Sequence, residues 1–320
     1  MHSAKTKTNE IDVRNTMKQD LISRIQALKA QKNAVILAHY YTSGEVQAIA
    51  DYVGDSFYLA KVAKACSADV IVFAGVGFMG ESAKILNPDK TVLMPDLTAD
   101  CPMAHMVAPG RIDALRAEYP DLAVVCYINS TAALKCQSDV CVTSSNAVKI
   151  VRALENEHVF FIPDENLGRF VAEQVPEKHV ILNDGFCPVH AEISLEALLA
   201  EKKAHPAAPV LSHPECRAEI LAHSDFLGST AEIIAYAKTS SADEFIICTE
   251  DGVEFRLSSD NPQKRFYFCQ KRPCCTDMKR NTLEKILHVL QTGENEITVD
   301  EKTRARALLP LERMLELARS

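Results

Sequence analysis

Three similar segments recur along the chain at nearly equal intervals. In each of them a short apolar run is followed by a turn rich in Pro, Asp or Gly, and the turn leads to a cysteine. The cysteines are Cys101, Cys187 and Cys275, which lie 86 and 88 positions apart. Because an interval of this size is typical of an internal structural repeat, the sequence predicts three copies of one folded unit.

The composition is that of an acidic globular protein. With 320 residues, 47% of them hydrophobic, the chain is long enough for one large domain or two to three smaller ones. The net charge of −8 argues against a nucleic-acid partner. The first 14 residues lack the apolar core of a signal peptide, and no apolar run approaches the roughly 20 residues of a membrane helix. We therefore expect a cytoplasmic protein without a membrane partner, in which eleven cysteines serve metal binding or burial rather than disulfides.

Within each repeat, short apolar runs alternate with segments of helical periodicity. The helices include a short one around Val46 that ends at Gly54, and three that open at Ser56, Ser145 and Ser229. Strands that alternate with helices predict parallel sheets joined by right-handed crossovers. The predicted fold class is α/β, with three pseudo-threefold-related αβα sandwich units that each contain a small parallel sheet. The predicted strands are 34–38, 70–73, 91–94, 123–126, 159–162, 179–182, 209–212, 244–248 and 265–268.

Helices are also predicted at both ends of the chain. The first runs from Asn15, which can cap it, to Lys29. The last two cover 283–290 and 300–317, and Pro310 is expected to interrupt the final one. We predict repeats at 31–107, 108–192 and 193–277, with the terminal segments 1–30 and 278–320 packed on the first repeat.

The three repeated cysteines predict a metal centre. In open parallel sheets, ligands bind beyond the carboxyl ends of the strands, and each of these cysteines follows a strand at that end. If the units face a common axis, the three thiolates meet, and they suit a [4Fe–4S] cluster with one iron left open, because a closed structural zinc site would use a fourth ligand. The chain contains no CxxC pair. Spacing alone leaves open the alternative of scattered core cysteines.

Hydroxyl-rich pairs stand at three predicted helix N-termini: Asp55-Ser56, Ser144-Ser145 and Ser229-Thr230. Each pair can be an ordinary N-cap that needs no ligand. Each also lies at the strand-end side of its unit, where helix N-termini bind carboxylates or phosphates. Three such sites around one centre favour a small, multiply anionic substrate over a nucleotide.

A glycine-rich segment, Gly75 to Gly80, fits the dinucleotide pattern GxGxxG. It follows the second strand of its unit instead of the first, and the segment is too short for half of a Rossmann fold. A tight turn that faces an anion is therefore favoured over dinucleotide binding.

Polar residues follow the first strand of every repeat. His39 and His213 each end such a strand, so we expect both to face the cleft, although either histidine could simply satisfy a backbone carbonyl. His190, three residues after Cys187, could support the metal centre or bind an anion.

Ten motifs, taken in chain order, resemble the quinolinate synthase family, the A protein of NAD biosynthesis. They are ILAHYY (36–41), IADYVGDS (49–56), GVGFMGESAKILNP (75–88), YINS (127–130), TSSNA (143–147), PDENLGR (163–169), GFCPVH (185–190), HPEC (213–216), GST (228–230) and CTDMKRNTLEKI (275–286). The resemblance implies a pseudo-threefold fold and a [4Fe–4S] cluster held by three cysteines. It also implies the condensation of iminoaspartate with dihydroxyacetone phosphate to quinolinate, with loss of phosphate and water, and functional coupling to the enzyme that supplies iminoaspartate.

The same resemblance implies roles for individual residues. The family pattern Cys-x-x-Met-Lys selects Cys275 over Cys274, so the implied cluster ligands are Cys101, Cys187 and Cys275, and Glu215 is an acid–base residue with Tyr41 and His213 as further candidates. The implied substrate contacts are His39, Tyr41, Ser56, Tyr127, Asn129, Ser144, Ser145, His190, His213, Glu215, Ser229 and Thr230.

The chain departs from the family pattern at two positions. His105 stands where the family usually has Asp, and Cys274 doubles the third ligand position. Two other functions remain to be distinguished: a hydro-lyase of another small hydroxy-acid with the same open iron, and a non-enzymatic iron–sulfur sensor. Electron carriers usually close all four iron positions with cysteine, which argues against the second.

Overall fold

The structure is a computed structural model that describes residues 2–319, with side chains from residue 16 onward. It contains three parallel four-stranded sheets, one in each third of the chain, with helices between the strands, so the predicted α/β class is confirmed. The strands of the first sheet are β1 (Ala34–His39), β2 (Tyr52–Gly54), β3 (Val70–Ala74) and β4 (Thr91–Leu93). The second has β5 (Ala123–Tyr127), β6 (Val140–Val142), β7 (His158–Ile162) and β8 (His179–Leu182). The third has β9 (Val210–Ser212), β10 (Phe226–Leu227), β11 (Glu244–Cys248) and β12 (Arg265–Phe268).

All three sheets have the same strand order. In the first sheet it is β2-β1-β3-β4, and the second and third repeat it as β6-β5-β7-β8 and β10-β9-β11-β12. Every pair is parallel, which places all the carboxyl ends of one sheet at the same edge. Three copies of one topology support the repeat that the cysteine spacing predicts, while the exact unit boundaries stay predictions.

Fifteen α-helices are present among residues 2–319. The first unit contains α1 (His2–Gln31), α2 (Gly44–Ile49), α3 (Ser56–Ala65) and α4 (Gly77–Leu86). The second contains α5 (Arg111–Glu118), α6 (Ala132–Lys135), α7 (Ala147–Ala153) and α8 (Glu165–Gln174), and α9 (Pro188–Ala191) leads onward. The third contains α10 (Leu195–Ala204), α11 (Ala218–Leu221), α12 (Thr230–Thr239) and α13 (Val253–Asp260), followed by α14 (Leu283–Thr292) and α15 (Glu301–Leu317). None of these helices is both long and apolar enough to cross a bilayer.

Three local predictions are corrected by the structure. The helix expected to begin at Asn15 begins at His2, so Asn15 lies inside it. The helix expected to end at Gly54 ends at Ile49, and Tyr52–Gly54 is strand β2 instead. Helix α15 continues through Pro310 although a proline lacks the N–H and crowds the preceding turn, because Pro310 lies among the buried residues that pack the helix against the protein, with Ala307, Leu311 and Met314.

Each sheet has one short edge strand, next to its first strand, that the sequence analysis does not predict. β2, β6 and β10 have three, three and two residues, too few to show periodicity. An aspartate precedes each of them, at positions 88 and 86 apart: Asp51, Asp139 and Asp225. Each carboxylate accepts the amide N–H of the neighbouring first strand, at 2.7 to 2.8 Å, from Ile36, Val124 and Val210 respectively.

A lysine repeats with the same spacing before the last strand of each unit. Lys90, Lys178 and Lys264 each donate from Nζ to backbone carbonyls at the carboxyl end of a helix, α3, α7 and α12 respectively. A lysine ammonium satisfies carbonyls that have no partner inside a helix and complements the negative end of the helix dipole. The repeat is therefore carried by polar contacts as well as by apolar packing.

The core is divided between the two faces of the sheets. One apolar cluster joins the first and second units and includes Leu311 and Met314 of α15. Helix α15 lies against α4 of the first unit and α6, α7 and β6 of the second, while α14 packs on α1 and β3. The C-terminal segment thus binds two units together, with their strand ends facing one centre.

We expect Asp139→Ala to lower the free energy of unfolding by about 1–3 kcal/mol. The change leaves the part-buried amide of Val124 without its acceptor and removes the partner of Arg116 at 2.9 Å. Chemical denaturation of the variant measures the loss. The exposed Glu173→Ala on α8 of the same unit serves as control, and an equal effect of both substitutions would contradict the structural role of Asp139.

Candidate active site and metal centre

The carboxyl ends of the three sheets surround one cavity of about 490 Å³, which is lined by residues of all three units. Most residues that the sequence predicts for the site lie in its wall. Those lining it are His39, Tyr41, Ser56, Cys101, Tyr127, Asn129, Ser144, Cys187, His190, His213, Glu215, Thr230 and Cys275.

Two predicted residues do not line the cavity. Ser145 is exposed, and its hydroxyl lies 3.0 Å from that of Thr143. Ser229 is buried in a capping box with Glu232, because its own side chain caps α12 while Glu232 accepts its amide N–H. Their neighbours Ser144 and Thr230 reach the cavity instead.

The three repeated cysteines enter the cavity from three loops. Cys101 follows β4 and precedes a 3-10 turn at Pro102–His105, Cys187 precedes α9, and Cys275 follows β12. All three are free thiols. Burial raises the pKa of each, to about 11 for Cys275, and the carboxylate of Glu215 raises the pKa values of Cys101 and Cys187 further. Such thiols need a cation beside them to ionise at neutral pH, as metal ligation supplies.

The donor set fits an iron–sulfur cluster. Three thiols from three units face one cavity, and soft thiolate ligands select iron–sulfur clusters or zinc. Cys274 also lines the cavity, but it is exposed and groups with Glu250 and Asp251, whereas Cys275 is part-buried. The other cysteines lie outside this wall, and Cys126, Cys141, Cys216, Cys248 and Cys269 are buried in the apolar clusters.

Glu215 lies at the centre of the polar side of the cavity. Its Oε2 is 2.8 Å from Nδ1 of His190, which also lies 3.1 Å from the sulfur of Cys187. Burial on its own would raise the pKa of Glu215, but His190, His213 and a hydrogen bond from Tyr127 outweigh it and lower the pKa to about 2. Glu215 is therefore a carboxylate at neutral pH, and its Oε1 is buried without a partner among the described residues.

His39 and His213 occupy matching positions at the ends of β1 and β9. In each, Nδ1 accepts the amide N–H two residues on, from Tyr41 at 3.1 Å and from Glu215 at 3.3 Å. Burial lowers the pKa of both imidazoles to about 3. Both are thus neutral, with the proton on Nε2, and both line the cavity as hydrogen-bond donors.

Tyr41 connects the first unit to the third. Its hydroxyl lies 2.8 Å from Oγ1 of Thr230 and 3.0 Å from Oγ1 of Thr249. Burial, followed by the charge of Glu215, raises its pKa well above the usual value. The phenol is therefore neutral and can donate a proton or a hydrogen bond, but it cannot serve as a base near neutral pH.

Sequence reasoning missed a set of residues just beyond β7 and β11, which are the third strands of their units once the short edge strands β6 and β10 are counted. Asp164, Thr249 and Glu250 are fully buried there, and burial raises the pKa of Glu250 to about 7 despite its contact with Lys279. The signal was present, since each is a polar residue directly beyond a buried strand.

Backbone groups of the glycine-rich turn form hydrogen bonds with other parts of the chain. The carbonyl of Gly75 accepts from the side chain of Asn281, and the amide of Gly77 donates to the carbonyl of Ala99. A Cβ on Gly80 would meet Sδ of Met94 at 2.5 Å, so this glycine permits close packing. These contacts account for the motif as a structural turn.

The fold and the site define a class of protein: an α/β enzyme with three like units around a cavity that three cysteines line. Residues 23–316 match the family model described as quinolinate synthetase A protein. A quinolinate synthase from Caldicellulosiruptor saccharolyticus is 52% identical over 294 residues, which cover 92% of this chain and 97% of that relative. The quinolinate synthases of Fusobacterium nucleatum (52% identity, 92% and 98% coverage) and Clostridioides difficile (48% identity, 94% and 99% coverage) are similarly related. The chain therefore belongs to the quinolinate synthetase A family, which confirms the resemblance found in the sequence.

Proposed function

We propose that this enzyme condenses iminoaspartate with dihydroxyacetone phosphate to quinolinate, with loss of phosphate and water, in the de novo synthesis of NAD. The observation that carries the proposal is the convergence of three cysteines, two neutral histidines and one carboxylate on a single cavity. The proposal places the chain in the cytoplasm, in functional coupling with the enzyme that forms iminoaspartate.

In this proposal Cys101, Cys187 and Cys275 hold a [4Fe–4S] cluster. The cluster supplies an open iron that acts as a Lewis acid toward a substrate hydroxyl or carboxylate. A fourth cysteine ligand is not required for that chemistry. His190 and Glu215 lie beside Cys187 in the cavity wall.

The anionic groups of the two substrates match donors in the cavity wall. The ten-residue helices α3 and α12 begin at Ser56 and Thr230, and helix N-termini favour carboxylate and phosphate. His39 and His213 add neutral Nε2–H donors. In the proposed role these groups orient the two substrates relative to each other, which lowers the entropy cost of condensation.

Glu215 is the proposed general base. Its pKa of about 2 makes it a weak base in the free site, but it is ionised, and its buried Oε1 has no hydrogen-bond partner among the described residues and is therefore available to a substrate proton. Tyr41 and Tyr127 line the cavity as phenols and can return protons to leaving oxygen atoms. Asn129 Oδ1 is the other cavity-wall acceptor that is buried without a partner in the described chain, and it suits a substrate hydroxyl or amine.

Anaerobic reconstitution with iron and sulfide tests this proposal. The loaded protein is expected to form quinolinate from dihydroxyacetone phosphate and iminoaspartate generated from oxaloacetate and ammonia, as followed by chromatography. Dehydration of another hydroxy-acid without quinolinate formation would indicate a different hydro-lyase. A stable cluster that responds to no dicarboxylate would instead favour a sensor.

A further inference from the structure

Each of the three proposed cluster cysteines donates its own backbone N–H to a carboxylate. Cys101 donates to Oδ1 of Asp100 at 2.8 Å, and Cys187 donates to Oδ2 of Asp164 at 3.1 Å. Cys275 donates to Oε1 of Glu250 at 2.9 Å. The same arrangement thus occurs in all three units, although the carboxylates come from different parts of the chain.

Asp164 and Glu250 hold equivalent places in their repeats. Each is the second residue after the third strand of its unit, where β7 ends at Ile162 and β11 ends at Cys248. Both side chains are fully buried, whereas Asp100 is about half exposed. The equivalent residue of the first unit is Val76, so there the neighbour of the cysteine supplies the carboxylate.

In each buried carboxylate the two oxygens accept hydrogen bonds from two different places. One oxygen serves the local turn: Oδ1 of Asp164 caps α8 through Leu167, and Oε2 of Glu250 accepts from Gly252. The other oxygen serves the cysteine. A helix cap alone needs only one oxygen, so local folding leaves the second contact unexplained.

In the third unit, Lys279 links the carboxylate of Glu250 to the main chain of Tyr41. Lys279 donates from Nζ to Oε1 of Glu250 at 2.8 Å and to the carbonyl of Tyr41 at 2.7 Å. Lys279 also lies 3.0 Å from Asp251. The loop that carries Cys275 is therefore tied to the residue that carries a proposed catalytic phenol.

We propose that Asp164 and Glu250 are positioning residues for the cluster, which fix the main chain of Cys187 and Cys275 and keep the reduction potential of the cluster low. The inference rests on the proposed function. Backbone N–H groups that reach cluster sulfurs stabilise the reduced state of a cluster. A carboxylate that accepts such an N–H takes this donor away from the cluster and so favours the oxidised state. An oxidised cluster suits Lewis-acid chemistry without electron transfer.

Asp164→Ser and Glu250→Gln test the proposal without removing the fold. Serine caps a helix as well as aspartate does, so α8 keeps its N-cap, but serine has no second oxygen for Cys187. In the glutamine variant Asp251 still pairs with Lys279, while one oxygen that accepts an N–H becomes an amide donor. Asp121→Asn is the matched control, because Asp121 accepts the amides of Glu157 and His158 at the opposite end of β7.

Two measurements are made on anaerobically loaded protein: the rate of iron transfer to a chelator, and the midpoint potential from a spectroscopic redox titration. We expect iron release to be about 10–100-fold faster in both variants, as for other partners of metal ligands, and the potential to become less negative. The control should behave as wild type. If both variants match wild type in both measurements while wild type is active, only this inference is wrong. If wild type binds no cluster, the proposed function and this inference both fail.

Discussion

Cys187→Ser is expected to leave the protein folded but unable to retain its cluster or to form quinolinate. The serine hydroxyl is a poor ligand at neutral pH, and losing a partner outside the ligand shell already costs roughly 10–100-fold in metal affinity. The loss of a direct ligand should cost more. Iron and sulfide analysis after anaerobic reconstitution measures the effect, and Cys101→Ser and Cys275→Ser should behave alike.

Cys141→Ser and Cys248→Ser are the controls, since both residues are fully buried in strands and neither lines the cavity. They should keep their iron even if their stability falls. An iron-replete Cys187→Ser protein with unchanged visible absorption would overturn the ligand assignment. Cys274→Ser distinguishes between the two adjacent cysteines. If Cys274→Ser loses its iron and Cys275→Ser keeps it, the third ligand is Cys274 and not Cys275.

Much of the fold follows from patterns that the chain repeats. The nine predicted strands are all present, because each contains a continuous apolar run, although β8 and β12 are only partly buried. The edge strands β2, β6 and β10 escaped prediction since two or three residues carry no periodicity, although Asp51, Asp139 and Asp225 mark them with regular spacing. Repeated polar residues were therefore the stronger signal for these strands.

Site residues could be predicted from the sequence where they directly follow a strand that an apolar run identifies. His39 and His213 end such strands, and the structure brings both into the cavity wall. Asp164 and Glu250 were missed because the contacts on which their proposed role rests are made with loops 23 and 25 residues away, at Cys187 and Cys275. Ser145 was expected to open a helix and to lie in the cavity wall, but α7 begins at Ala147, and Ser145 lies in the turn before it with its side chain exposed.

Glu215→Gln should lower kcat by about 10²- to 10⁴-fold while the cluster and the fold remain intact. Glutamine has nearly the same shape as glutamate, and the change removes only the charge and the capacity to accept a proton. His190 keeps its contacts with Thr249 and Cys187, so the polar side of the cavity should persist. Iron content, the spectral change on adding quinolinate, and steady-state kinetics together measure the outcome.

Glu219→Gln provides the matched control, because Glu219 lies four residues further on, is exposed, and pairs only at the surface with Arg217. It should retain wild-type kcat. A base that acts in the chemical step lowers kcat when it is removed, whereas a residue that only binds substrate raises KM. If Glu215→Gln turns over at nearly the wild-type rate, the carboxylate is not the base. Neither the phenol of Tyr41 nor the imidazole of His213, whose pKa lies at about 3, can then supply the base near neutral pH, so Glu250, with a pKa of about 7 in the same cavity wall, would be the next residue to replace.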